Sequence, residues 1–138
     1  MHNINASHVF LGKKDFQQIY LIKKYLQNKS KSKIVSFKTI RNSNKLPLSS
    51  RNILLTKNSL NHSEKISKML FEIKKKISND FKNIELLKSY KYKVMKLCDE
   101  IEYFEIRNLN NLSTKFTKKN MKIFIAYKQH KTRLIDNI

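Results

Sequence analysis

Glycine, proline and cysteine are nearly missing from this 138-residue chain, which holds one of each: Gly12, Pro47 and Cys98. A single cysteine excludes an internal disulfide. Its neighbours Leu97 and Asp99 bring no second cysteine or histidine to ligand spacing, so Cys98 reads as a buried structural thiol in a reducing cytoplasm, not as a nucleophile or metal ligand. There is no run of about 18 apolar residues to span a membrane. Nor does the start, Met1-His2-Asn3-Ile4-Asn5, hold a hydrophobic signal core. Acidic residues are scarce as well, 10 against 30 basic ones, for a formal net charge of +20.

That charge attracts any polyanion, RNA and DNA above all. Yet the basic residues are spread along the whole chain and form no single arm, and only Arg41, Arg51, Arg107 and Arg133 are arginine. Abundant Asn and Ile beside them match a coding bias towards A and T. Two readings stand side by side: a drifted basic surface with nonspecific affinity for nucleic acid, or a small basic nucleic-acid-binding protein with aromatics among lysines, as in Tyr90-Lys91-Tyr92.

With 40% apolar residues the chain has material for a core, in one domain or parts of two. Val9-Phe10-Leu11 reads as a strand ending at Gly12, and from about Asp15 the positions Ile19, Ile22 and Leu26 recur on one helical stripe. Ile34 to Ile40 is a second strand, which gives a strand-helix-strand unit with parallel strands. A polar loop comes next, from Arg41 to Pro47. Leu60, Ile66, Leu70, Ile73 and Ile77 then mark a helix from Lys57, with Thr56 or Asn58 as N-cap. A further helix is predicted over Asn83 to Cys98 through Ile84, Leu87, Val94 and Leu97, then strands at Glu102–Arg107, Met121–Tyr127 and Arg133–Ile135. The lysine run Lys74-Lys75-Lys76 sits within helical periodicity as a solvated face.

Gly12 lies where open parallel sheets hold ligands, past the carboxyl end of a strand. A glycine there lets the backbone turn sharply and come close to a ligand. The helix start offers N–H donors and a positive dipole end, and Lys14 adds a mobile charge, so phosphate is the natural guest. A plain turn with Asp15 as helix cap is the other reading. Gln17 and Gln18 put two amides in the first helical turn, able to bond the oxygens of a small polar acid. Ser49-Ser50-Arg51 joins two hydroxyls to a planar fork suited to a leaving pyrophosphate; its alternative is a capping serine beside a surface arginine.

Three segments, Gly12-Lys13-Lys14-Asp15-Phe16-Gln17-Gln18, Leu48-Ser49-Ser50-Arg51-Asn52 and Thr132-Arg133-Leu134-Ile135-Asp136-Asn137, together resemble the pantothenate synthetases, or pantoate:beta-alanine ligases. The family pattern is Gly-Glu-Lys-Asp-aromatic-Gln-Gln, then Leu/Met-Ser-Ser-Arg-Asn, then Thr-Arg-Leu-Ile-Asp-Asn. The likeness runs over roughly residues 8 to 138 and covers only the C-terminal half of a family member. It implies an α/β fold: the end of a Rossmann-like adenylyltransferase domain, residues 1–47, followed by a small α+β C-terminal domain, residues 48–138. It also implies ATP-dependent joining of (R)-pantoate to beta-alanine through a pantoyl adenylate, releasing pyrophosphate and AMP, in the cytoplasm, with Mg2+ sharing the phosphate charge. Carried over, Gly12, Lys13, Lys14, Asp15, Ile40, Leu48, Ser49, Ser50 and Arg51 contact ATP. Ile40 would do so through its backbone to the adenine, and Gln18 would contact pantoate. Lys14 and Arg51 stabilise the transition state, and no residue is assigned to a metal.

Departures accompany the match. Lys13 stands for the family's glutamate, Asn44-Lys45 for an Asp-Gly, and Pro47 for an alanine. Loss of that glycine removes a residue tolerant of positive φ and is expected to redirect the serine loop. The family's Met-Gly-x-Leu-His-x-Gly-His segment has no counterpart; His2, His8, His62 and His130 read as surface histidines, so no catalytic residue is expected in this chain. A Rossmann-like domain cut before its last strand-helix-strand unit leaves edges and apolar faces to be covered. The resemblance therefore implies a homodimer or a complementing N-terminal half, with a fragment or a decaying product as the other accounts.

Overall fold

The first two apolar runs pair as parallel strands, β1 (His8–Gly12) and β2 (Lys33–Phe37), with Phe10 opposite Val35 and Gly12 opposite Phe37. The structure is a computed structural model and describes residues 6–26, 31–79 and 84–138. A 3-10 turn, Lys13–Asp15, leads from β1 into α1 (Phe16–Leu26), which buries Ile19 and Leu26 and half-buries Ile22, the stripe read from the spacing. β2 stops at Phe37, three residues before the expected end at Ile40.

The chain divides into two compact units, Met1–Thr39 and Ile40–Ile138. A boundary at 47/48 therefore falls inside the second unit, for a physical reason. Leu48 N–H donates to the Ile40 carbonyl at 2.9 Å, and Arg41 and Asn44 bond side chains far along the chain, Asp136 and Glu64. These ties hold residues 40–47 to the rest of the second unit.

In the second unit α2 (Lys57–Asn79) begins where Thr56 Oγ1 accepts the Ser59 N–H at 3.2 Å, so Thr56 and not Asn58 is the cap. Its inner face buries Ser59, Ser63, Ile66, Ser67, Leu70, Ile73 and Ile77. The three serines are small enough to let the helix lie close to the sheet, and the Ser63 hydroxyl satisfies itself on the Ser59 carbonyl at 2.8 Å. Lys74, Lys75 and Lys76 face solvent, as the periodicity required. α3 (Ile84–Met95) buries Tyr90 and Val94 and ends three residues short of Cys98; its expected start at Asn83 and the Ile84 side chain lie outside the described residues.

β3 (Glu100–Asn108), β4 (Met121–Gln129) and β5 (Thr132–Asn137) form an antiparallel sheet in that order. The central strand is buried continuously from Ile123 to Tyr127, as a strand covered on both faces must be, and Ile123, Ile125 and Tyr127 pack with residues of α2 and α3 into one core. All three strands run longer than their apolar stretches predict. The ladder continues into polar pairs, such as Lys128 against Glu100 at 2.8 Å and Gln129 against Thr132. The arrangement is α/β, as expected.

Candidate functional site

In the first unit Gly12 is the last residue of β1 and the N-cap of the 3-10 turn, at φ −78° and ψ 133°. That is ordinary extended backbone, so the turn does not call on glycine's special freedom, contrary to expectation. A Cβ placed on Gly12 would meet no atom within 4 Å. What the missing side chain provides is open surface. Because helical backbone starts at Lys13, the position before it is Gly12, and Asp15 lies inside the turn instead of capping it. Lys13, Asp15 and Gln18 are exposed, while Lys14 and Gln17 are half-buried. An open cavity of about 480 Å³, lined by Ala6, Ser7, His8, Lys31 and Lys33, sits at the amino ends of β1 and β2, the ends away from Gly12.

In the second unit the loop from Arg41 to Pro47 is a tight hairpin. Asn42 N–H donates to the Leu46 carbonyl and Leu48 N–H to the Ile40 carbonyl, both at 2.9 Å, so Arg41 and Pro47 face each other between those bonds. Pro47, which has no N–H to give, occupies a position that needs none. Lys45 N–H bonds the Asn42 carbonyl at 3.0 Å, and Lys45 itself takes φ 71°. A lysine thus takes a left-handed position at the place where the family pattern has glycine. The hairpin is held from outside by carboxylates on two elements. Glu64 on α2 accepts from Asn42 Nδ2 at 2.8 Å and from Asn44 Nδ2 at 2.7 Å, and Asp136 on β5 takes both Nη atoms of Arg41 at 2.7 Å. The Arg41 guanidinium also donates to the carbonyls of Lys45 and Asn137 and lies 5.1 Å from the Phe71 ring centroid.

The lysine at φ 71° carries a strain of about 1–2 kcal/mol. Glycine there would relieve it but would cost about 0.5–1 kcal/mol in unfolded-chain entropy. It would also lose the Lys45 ammonium from over Phe71, 5.7 Å away, worth about 0.5 kcal/mol at an exposed site. Lys45→Gly is therefore expected to shift stability by less than about 1 kcal/mol in a urea titration, and β-branched Lys45→Val to lose more than that. A gain well above 1 kcal/mol for the glycine variant would refute this balance.

The hairpin delivers the chain to Leu48-Ser49-Ser50-Arg51. Ser49 Oγ accepts the Arg51 N–H at 3.3 Å and caps a 3-10 turn, Ser50–Leu54. Leu48, Ser50 and Arg51 are exposed, and Arg51 Nη1 donates to the Arg133 carbonyl at 3.2 Å. Ile40, eight residues away in sequence, is brought beside Leu48 with its side chain 71% exposed. The fold thus gathers Ile40, Leu48, Ser49, Ser50 and Arg51 at one place in this unit, and Gly12, Lys13, Lys14, Asp15 and Gln18 at one place in the other. One exposed guanidinium and two hydroxyls can meet phosphate oxygens, since a guanidinium has five N–H donors and one is used.

Sequence reasoning missed the Arg41–Asp136 pair and the role of Glu64. The only hint was Asp136 within Thr132-Arg133-Leu134-Ile135-Asp136-Asn137, which here is β5. The other arginines are committed to carboxylates: Arg133 Nε to Glu102 at 2.8 Å, and Arg107 to Glu105 at 2.5 Å, both guanidinium pKa values raised by those partners. Cys98 is half-buried and donates to the Val94 carbonyl; burial, then the Asp99 charge, push its thiol up to about 11, which leaves it inert. His8 and His130 are exposed and His62 is half-buried; His2 lies outside the described residues. Among the described residues no group of three or more His, Cys, Asp or Glu is placed to hold a metal ion, and no helix is long and apolar enough to cross a membrane.

A family model described as pantoate-beta-alanine ligase matches residues 1–138. The chain is 36% identical over 142 residues to the pantothenate synthetase of Flavobacterium psychrophilum, covering 98% of this chain and 49% of that protein. It is 33% identical over 140 residues to that of Helicobacter pylori strain Shi470, covering 99% and 50%. Among solved structures, pantothenate synthetase from Thermus thermophilus superposes with a TM-score of 0.83 at 19% identity, over 96% of this chain and 49% of that one, and shares the fold. Pantoate-beta-alanine ligase from Francisella tularensis, complexed with beta-gamma ATP and beta-alanine, gives 0.72 at 31% identity, over 96% and 43%. The chain spans about half the length of the curated relatives it matches.

Proposed function

The chain belongs to the pantoate-beta-alanine ligase family, and from that premise we propose that it carries the C-terminal portion of the machinery that condenses (R)-pantoate with beta-alanine at the expense of ATP. The observation that supports this most is the family match over residues 1–138 together with the Ser49-Ser50-Arg51 turn that the hairpin presents, with Ser50 and Arg51 exposed. In this reading the first unit, Met1–Thr39, belongs to the nucleotide domain, and Ile40–Ile138 holds the small C-terminal domain with the hairpin that leads into its serine turn.

The pantoate carboxylate attacks the α-phosphorus of ATP and pyrophosphate leaves with the bonding electron pair. The beta-alanine amine then attacks the acyl carbon, loses a proton, and AMP departs. Negative charge grows on the phosphate oxygens in the first step. Lys14 and Arg51 are the cations assigned to it, with Ser50 and the backbone at Gly12, Lys13 and Asp15 as further contacts. Gln18 is assigned to pantoate, and Leu48 and the Ile40 backbone to the nucleotide. Ser49, whose hydroxyl already caps the Arg51 N–H, holds the turn in shape.

Mg2+ binds proteins through one or two carboxylates plus substrate phosphates, and Asp15, exposed and the one carboxylate among the residues assigned to ATP and pantoate, fits that pattern. When bound, the ion neutralises phosphate charge. A homodimer and a cytoplasmic location, implied by the family, belong to the same reading. The alternative, a specific nucleic-acid-binding protein, draws no support from the ligase relatives.

The test is pantoate-dependent release of pyrophosphate by this chain supplied with the half of the F. psychrophilum relative that it does not match. Gly12→Ala makes the test specific. Extended backbone and open space predict unchanged stability, while a methyl group at the phosphate approach is expected to lower ATP use at least tenfold. An alanine variant as active as the parent would remove Gly12 from the site, and a pair that binds but releases no pyrophosphate would overturn the reading.

A further inference from the structure

Glu64 gives one carboxylate oxygen to each of two hairpin asparagines: Oε1 accepts from Asn42 Nδ2 at 2.8 Å, and Oε2 accepts from Asn44 Nδ2 at 2.7 Å. All three residues are half-buried. A polar group in such a place must face its complement, so an acid that only accepts is matched here to two amides that donate. Asn42 passes the restraint on, because its Oδ1 takes the Leu46 N–H at 3.0 Å. Beyond the hairpin the Pro47 carbonyl accepts from Asn52 Nδ2 at 3.1 Å, the Ser49 carbonyl accepts the Asn52 N–H at 3.0 Å, and the Ser49 hydroxyl caps the Arg51 N–H. A continuous path of bonds thus joins Glu64 to Arg51. An aspartate at position 44, the residue of the family pattern, would set a second carboxylate 2.7 Å from the first, and like charges so close repel.

We propose that Glu64 is a positioning residue: through the amides of Asn42 and Asn44 it fixes the path along which the hairpin presents Ser50 and Arg51, and Asn44 is the partner that its carboxylate requires. Arg41–Asp136 anchors the base of the hairpin to β5, while Glu64 anchors its tip to α2. Held at both ends, the loop has one direction. A group displaced by about 1 Å from its productive place costs about 100-fold in rate, which is why a carboxylate that touches no substrate governs turnover here. Turnover as a readout rests on the ligase reading and on Arg51 acting at the phosphates; the clamp itself does not.

Exchanging acid and amide between the two positions tests this with changes that keep the size of each side chain. Glu64→Gln leaves one asparagine amide facing an N–H, and Asn44→Asp sets carboxylate against carboxylate. In the double variant the new amide donates to the new carboxylate and still accepts from Asn42. On the whole chain, hydrogen exchange at the Asn42, Leu46 and Leu48 amides is expected to speed at least about tenfold in each single variant and to return close to the parent in the double. The Arg51 amide resonance should move and return in the same way. With the reconstituted pair, under conditions where urea titration shows every variant folded, each single should lose about 10- to 100-fold, more in kcat than in KM for ATP, and the double should recover it. A residue that only added stability would leave kcat of the folded enzyme unchanged. Singles that exchange and resonate like the parent, a double no better than the worse single, or folded singles that turn over at the parent rate would each overturn the proposal. A parent pair that releases no pyrophosphate counts against the ligase reading alone, and the exchange and resonance cycle then decides whether Glu64 positions the turn.

Discussion

Arg41→Ala is expected to cost about 3–5 kcal/mol of folding stability, the usual loss when one partner of a buried ion pair is removed. The side chains of Arg41 and Asp136 are only 14% and 3% exposed, and two parallel 2.7 Å bonds join them across 95 positions of sequence. Without the guanidinium, Asp136 keeps the Asn137 N–H but loses both charge-assisted bonds to Arg41, and weakening the pairing of a buried carboxylate is costly. The variant also drops the bonds to the Lys45 and Asn137 carbonyls and the stacking on Phe71. By contrast, Lys88–Glu85, with side chains 69% and 79% exposed, falls in the class of surface pairs worth about 0–1 kcal/mol. Urea unfolding of Arg41→Ala, Asp136→Ala and the double variant measures the pair directly. The double variant should be much less destabilised than the sum of the singles. A loss below about 1 kcal/mol for Arg41→Ala would show that the hairpin does not depend on this bridge.

The second large effect is expected in chemistry. In the reconstituted pair, Arg51→Ala should lower pantoate-dependent pyrophosphate release about 100- to 1,000-fold, the scale of removing one donor aimed at transition-state charge. Its structural cost should stay small, because Arg51 is exposed and its bond to the Arg133 carbonyl is a 3.2 Å contact at the surface. The loss should fall mainly on kcat, as expected for an interaction strongest when pyrophosphate leaves. Arg51→Lys should restore little, since a single ammonium cannot copy the planar fork. An Arg51→Ala pair that forms adenylate at the parent rate would take Arg51 out of the site. Taken with Arg41→Ala, the comparison separates two arginines ten residues apart, one expected to build the loop and one expected to act from it.

Most of the secondary structure was legible because it is written in local periodicity. The stripes Ile19–Leu26 and Ile66–Ile77 can bury one face only as helices, and Met121–Tyr127 is apolar on both faces only as a central strand. Errors gathered at ends, where hydrogen-bond ladders run on past the apolar residues, as at Gln129 and Thr132. At Gly12 the expectation of a sharp turn that draws on glycine's freedom was mistaken because the residue's identity says nothing of its φ, and the extended value there points to open surface alone. At Lys45, where a glycine is missing from the family pattern, residue identity likewise hides the φ of 71°, a left-handed backbone closed by the bond from Lys45 N–H to the Asn42 carbonyl.

Family membership, the strand-helix-strand opening and the candidate residues Gly12, Lys14, Ser49, Ser50 and Arg51 follow from short contiguous segments, because motif and periodicity are properties of neighbours along the chain. Which groups hold the Ser-Ser-Arg turn was decided only in three dimensions. Arg41 meets Asp136, and Asn42 and Asn44 meet Glu64, between residues 20 to 95 positions apart whose pairing depends on where β5 and α2 lie.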